Sequence, residues 1–248
     1  MTATVIGPTL VIVCVLMVLA AAVIYRLGGL GSGWVAPAAA LRAAVQLAAV
    51  SMVLTVAITR LWSSILLLLV MFGVAGLTAA RRTRAGTGSA WVLLALAAGL
   101  TAVLPPLLCS GLVPATGVAI VPIVGIVLGG TMTAVSIAAK RALDALQHRA
   151  GEVEAGLSLG LTERDSRREV MGTELTDALL PNLDQTRTVG LVTLPGAFVG
   201  VLLSTGSAAQ AGAVQVLVLI ALLLSQTCGV AVVGELVARG RLRRPAAI

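Results

Sequence analysis

The chain has 248 residues, of which 58% are hydrophobic and 11% charged, and it carries a formal net charge of +7. Soluble domains carry about 25% charged residues, so this balance excludes an ordinary soluble enzyme or regulatory domain. Aromatic residues make up 2% of the chain, too few for the stacking that holds single-stranded nucleic acid.

The apolar residues fall into blocks close to the roughly 20 residues that carry a helix across about 30 Å of hydrocarbon. The blocks are continuously apolar, without the alternation of a membrane β-barrel strand. The reading is an all-α, polytopic integral membrane protein with one transmembrane domain over 1–248 and about seven membrane helices. These lie at about 5–25, 34–58, 61–80, 90–109, 115–139, 188–203 and 213–238. The first block has no basic residue before it and Arg26 after it, the reverse of a signal peptide. A glycine-rich turn, Gly28 to Gly33, leads into the second. Arg81, Arg82 and Arg84 close the third, and Pro105 and Pro106 break the fourth. Arg239, Arg241, Arg243 and Arg244 follow the seventh. Placing the basic clusters inside puts the N-terminus out and the C-terminus in, with only Arg60 on the wrong side. Cys14, Cys109 and Cys228 are scattered through apolar blocks and suggest no disulfide or metal framework.

The stretch 140–187 is different material. Nine of the ten acidic residues lie between Asp144 and Asp184, and the tenth is Glu235, four residues before Arg239. Leu143, Leu146, Ala150, Val153 and Leu157 form one helical face. Lys140, Asp144, Gln147, Arg149, Glu152 and Glu154 take the other side, with His148 solvated there. Gly160 suits a helix C-terminus, and Thr162 with Asp165 three residues on can cap a new start. The second helix is expected over about 163–180, with Val170, Met171, Leu175 and Leu179 as its apolar face and Pro181 as its end. A helix–turn–helix below the membrane follows. It is either a solvated or headgroup-bound connection, or a docking element for a soluble partner, since an amphipathic helix presented to a groove is a common recognition mode.

Glu154–Gly160, EAGLSLG, resembles the first half of the EAA motif of ABC transporter permeases, with Gly156 in place of the second alanine. In that superfamily the motif is the coupling helix that fits into the ATPase. The resemblance implies that Glu152, Glu154, Ala155, Gly156, Gly160 and Thr162 couple to such a subunit. Leu41–Leu47, Pro122–Ser136, Glu152–Thr162 and Val189–Gly206 carry a wider resemblance. It is to the FetB-like iron-export permeases, which are related to plant aluminium-tolerance ABC permease subunits. The sequence departs from that pattern at Thr131, Thr133, Phe198 and Val214. The resemblance implies a homodimeric permease domain in the cell membrane, exporting a metal ion such as iron. A cytoplasmic ABC ATPase subunit would hold the ATP and magnesium.

The residues agree that this chain binds no ATP through a P-loop. That motif needs Gly-Lys, and the one lysine, Lys140, follows Ala139. A membrane-embedded enzyme lacks a catalytic constellation. A secondary transporter or channel without an ATPase is the alternative, but intramembrane ionisable relays are nearly absent. Arg42 and Gln46 share a helix face, and with Thr131, Thr133 and Gln215 they are the candidates for a substrate path. Gln226 lies eleven residues after Gln215 on roughly the same face. Asn182, Asp184, Gln185 and Arg187 either line a vestibule or cap an interface. Gly125 with Gly129, and Gly196 with Gly200, have the spacing of close helix packing. Pro195–Gly196 can break the sixth segment. The metal ligands are unknown, because the membrane part offers no cluster of carboxylate, imidazole and thiolate.

Overall fold

The computed structural model describes residues 7–57, 61–86 and 88–244. These form ten α-helices, one 3₁₀ turn at Ser89–Trp91 and no extended sheet. Residues 1–59 and 60–248 form two separate compact units.

In the first unit, α1 (Pro8–Leu27) and α2 (Val35–Ala57) pack on each other. Pro8 sits in the first turn of α1, where its missing N–H costs nothing. Gly28 closes α1 by donating to the Ile24 carbonyl, and Gly29 and Gly31 turn the chain with φ of +64° and +132°. Arg42 and Gln46 are exposed on α2.

The second unit holds α3 (Leu61–Thr83), α4 (Val92–Cys109), α5 (Gly117–His148), α6 (Ala150–Ser158), α7 (Glu163–Asp177), α8 (Leu180–Thr188), α9 (Gly196–Thr205) and α10 (Ala208–Ala238). Its core is built on α5, which packs against α3, α4, α7 and α10. Small side chains line the contacts: Ala79, Ala95, Ala138, Ala139 and Ala142 are fully buried. Without a hydrophobic drive between helices in lipid, such close approach is what holds them.

The directions of the helices follow from cross-links between them. The Thr131 and Ser225 hydroxyls meet at 2.6 Å, and further along both chains Arg244 bonds to Asp144. So α5 and α10 run parallel, and their C-termini share one end of the unit. That end also receives the C-terminus of α3, because the Gly86 N–H donates to the Arg243 carbonyl at 3.1 Å. It receives the start of α4 too, where Arg241 lies over the Trp91 ring at 5.6 Å. The α6–α7 region joins the same end, which gathers most of the charge.

Two parallel helices need a return path between them. It is made in pieces by α8, a turn over residues 189–195, and α9. Six described helices are long and apolar enough to cross a membrane: α1, α2, α3, α5, α10 and α4 together with its 3₁₀ turn. The expected helix over 188–203 is instead the ten-residue α9, about 15 Å of helix. It is preceded by a turn in which Gly190 has φ +82° and its N–H donates to the Thr193 carbonyl at 2.9 Å.

Three further boundaries differ from the sequence reading. Helix α5 runs through Lys140 to His148 without stopping at the last apolar residue. Pro105 and Pro106 lie inside α4 and do not end it before Cys109, each removing one intrahelical bond. Pro181 stands in the first turn of α8 rather than ending the preceding helix, which stops at Asp177.

Candidate functional site: the α6–α7 hairpin

At the charged end the chain leaves α5 at Arg149 and folds into α6 and α7, with a four-residue turn between them. The turn is built from local chemistry. Gly160 adopts φ +89°, a region that costs a Cβ-bearing residue about 1 kcal/mol or more. Its N–H donates to the Leu157 carbonyl at 3.0 Å, and the Leu161 N–H to the Gly156 carbonyl at 3.1 Å. This is the paired C-terminal closure of a Schellman motif. The Thr162 hydroxyl then accepts from the Asp165 N–H at 3.2 Å and donates to Asp165 Oδ2 at 2.7 Å. Glu163 and Asp165 fall in the first turn of α7, where negative charge suits the helix dipole.

The two arms pack closely. A side chain at Gly156 would run into Ser166 Oγ, which itself donates to the Val153 carbonyl at 2.7 Å. Gly156 therefore has a structural reason for being a glycine: it lets α6 lie against α7. The inner face of α7 buries Val170 and Met171 and half-buries Leu175, as its periodicity predicts, while half-buried Leu179 lies beyond its end.

Charged side chains tie the hairpin to the membrane helices. Arg149 donates to the Val170 carbonyl and reaches Glu174 at 3.4 Å. Arg164 grips both Glu235 oxygens of α10, at 2.7 and 2.9 Å, which raises its pKa above the ordinary value. Glu235 also accepts from Arg239 at 2.6 Å, the pairing expected from their spacing. Arg167 donates to the Ala238 carbonyl at 3.3 Å.

What remains outside is the tip. Glu152, Glu154, Ala155, Gly160 and Thr162 are exposed. Leu157, Leu159 and Leu161 stand 42, 85 and 44% exposed. The sequence reading placed the hairpin and its turn and put Leu157 on the apolar face of the first helix, but it did not single out Leu159 and Leu161, since the i, i+2, i+4 spacing of the three across the turn matches no single helix face.

The other candidates are dispersed. Thr131 is fully buried where α4, α5 and α10 meet, and donates to the Val127 carbonyl at 2.7 Å. Thr133, on the exposed side of α5, donates to the Gly129 carbonyl at 3.0 Å. Buried Gln215 accepts from the Phe198 N–H at 3.2 Å, at the start of α9. Gly125 meets the Met71 terminal methyl, where an added Cβ would lie 3.1 Å away. At Gly129, Gly196 and Gly200 it would meet nothing within 4 Å among the described residues. Close approach occurs instead at Gly99, Gly130, Gly229 and Gly234. Among the described residues no three His, Cys, Asp or Glu side chains converge as a metal site would require.

A bundle of apolar spans carrying a charged helical hairpin at one end defines a multi-pass membrane protein. The chain belongs to the uncharacterised protein family UPF0014, whose model matches residues 8–241. It is 32% identical over 181 residues to the UPF0014 membrane protein STAR2 of Oryza sativa subsp. japonica, covering 72% of this chain and 64% of that protein. It is 33% identical over 156 residues to the protein ALUMINUM SENSITIVE 3 of Arabidopsis thaliana, covering 62% and 57%. The probable iron export permease protein FetB of Escherichia coli strain K12 is 29% identical over 114 residues, covering 46% and 43%. The chain thus spans less than two thirds of the length of each of these relatives. No solved structure matches.

Proposed function

We propose that this chain is the membrane-spanning permease subunit of an ABC transporter, acting as a homodimer in the cell membrane. The observation that carries the reading is the α6–α7 tip. Three exposed leucines stand among Glu152, Glu154, Glu163 and Asp165 on a closed turn whose arms are bonded to α5 and α10. An apolar knob with a charged rim fits the groove of a soluble partner. The arms give that partner a mechanical route into the bundle. The resemblance of Glu154–Gly160 to the permease coupling motif names the partner as an ATP-hydrolysing subunit, which faces the cytoplasm with the hairpin. Glu152, Glu154, Ala155, Gly156, Gly160 and Thr162 form its contact. A metal ion such as iron, moved outward, is the cargo that the name of the Escherichia coli relative supports. No cofactor is held by this chain.

The test is co-purification of the chain with an ATPase encoded beside it. Glu154→Arg and Leu159→Asp change exposed side chains and leave the fold intact. They are expected to abolish retention of the ATPase and its stimulated hydrolysis, while the wild type keeps both. An ATPase held equally well by the variants would remove the coupling role. No ATPase retained by the wild type would make the chain a stand-alone transporter or channel.

A further inference from the structure

Five arginines at the charged end make no ion pair among the described residues. They are Arg81 and Arg82 in the last turn of α3, Arg84 just after it, and Arg241 and Arg243 after α10. Most other arginines at this end have a carboxylate: Arg141, Arg149, Arg164, Arg167, Arg168, Arg187, Arg239 and Arg244 are all paired. They gather at one end of the unit, where the Arg243 Nε donates to the Gly240 carbonyl at 2.7 Å. The strap after α10 buries Leu242, bonds the Arg243 carbonyl to the Gly86 N–H, and lays Arg241 over Trp91. Arg84 has φ +52°, alone among described non-glycine residues in the left-handed region. There it turns the chain back from α3 toward the strap.

The apolar surface next to these arginines has a matching shape. Leu66, Val70, Val74, Leu77 and Arg81 follow one another at three- and four-residue steps on the exposed side of α3, and exposed Arg84 comes just after its end. The four apolar members are 50 to 62% exposed. From Val70 to Arg81 the helix rises about 16 Å, close to the half-thickness of a bilayer core, about 15 Å. Trp91, 41% exposed, stands at the same end, where an indole suits the headgroup boundary.

We propose that this face binds an acidic phospholipid. Its acyl chain lies along Val70, Val74 and Leu77, and its phosphate meets Arg81, Arg84 and Arg241. Charge complementarity sets the partner: unpaired guanidinia at the hydrocarbon boundary fork onto phosphate oxygens, and a headgroup phosphate is the anion that the bilayer brings to this depth. The loop between α3 and α4 and the strap after α10 would then be clamped by one lipid.

The experiment is native mass spectrometry of the full chain in detergent, titrated with phosphatidylglycerol or phosphatidylcholine, and separately with glycerol 3-phosphate as the headgroup without its chains. The wild type is expected to retain phosphatidylglycerol in preference to phosphatidylcholine and to ignore glycerol 3-phosphate. Arg81→Gln with Arg84→Gln should weaken phosphatidylglycerol about thirtyfold, since each arginine near the surface contributes about fivefold. Arg187→Gln, whose residue pairs with Asp184 elsewhere on this end, should change nothing. Equal retention by the double variant overturns the site. Glycerol 3-phosphate competing as well as the lipid overturns the role of the α3 stripe. Loss of a bound ATPase in the double variant with lipid retention unchanged assigns the arginines to a protein surface and overturns the proposal as well.

Discussion

At Gly99 the backbone of α4 approaches α10 so closely that an added Cβ would lie 2.6 Å from the Ser225 carbonyl oxygen and 2.9 Å from Thr131 Cγ2. Gly130 and Gly229 close the same crossing from α5 and α10. An added Cβ at Gly130 would stand 2.8 Å from Gln226 Nε2, and one at Gly229 would stand 2.8 Å from Val135 Cγ2. The Thr131–Ser225 hydrogen bond sits in the middle of this contact. Interhelical hydrogen bonds in membranes average about 0.6 kcal/mol, whereas forcing extra carbon into a packed core costs about 1–3 kcal/mol. Packing should therefore dominate. Gly99→Val is expected to lower stability by about 2 kcal/mol in a denaturant titration of the detergent-solubilised chain. Ser225→Ala should cost about a third of that, because the Thr131 hydroxyl keeps the Val127 carbonyl. Equal losses would mean that the hydrogen bond, not the close approach, holds the crossing.

Among the helices, the return between α5 and α10 makes the sharpest claim. Because α5 and α10 are parallel, Ser207 must lie at the opposite end of the unit from Thr162, although α9 alone spans only about 15 Å. In a chain stripped of its three cysteines, Ser207→Cys and Thr162→Cys are expected to react with an impermeant maleimide from opposite faces of a sealed vesicle. Reaction from the same face would make 180–205 a re-entrant loop and break the parallel arrangement. Much of this architecture was legible in the sequence. Span lengths, the Gly160 closure and the Thr162 cap depend on a few neighbouring residues, which is why they could be placed. The break at 189–195 was harder. Val189–Leu203 is continuously apolar, so hydropathy reads one helix, and only Gly190 and Pro195 signal the turn. The end of α5 was misplaced because charge marks where the membrane stops, not where a helix stops. Ala-, Leu- and Arg-rich sequence carries α5 past Lys140. The crossing at Gly99 depends on residues more than a hundred positions apart, although the Ser225–Gly229 pair had the small-residue spacing that hints at it.

Across the second unit as a whole, the charged end joins α5, α7, α10 and the loop between α3 and α4. Arg149 and Arg164 link α7 to α5 and α10, Arg244 links the strap to α5, and Gly86 links the α3–α4 loop to the strap. Glu235 is the densest node. Its carboxylate faces Arg164 and Arg239 within 2.9 Å and Arg168 at 3.6 Å. The side chain is 27% exposed and Arg164 is 40% exposed, so solvent screens the pairs and they add little to stability. They also tie α7 directly to α10. If the hairpin receives the stroke of an ATPase, Glu235→Gln should leave the fold and ATPase binding nearly intact but weaken the transmission of that stroke. In proteoliposomes, retention of the ATPase should stay within about twofold of wild type. Stimulation of its hydrolysis should fall roughly tenfold, in the range of ordinary coupling energies. Loss of both together would make Glu235 part of the docking surface's stability. Loss of neither would mean that the stroke passes through the Arg149 contacts to α5 alone, and Arg149→Gln would then show the split that Glu235→Gln did not.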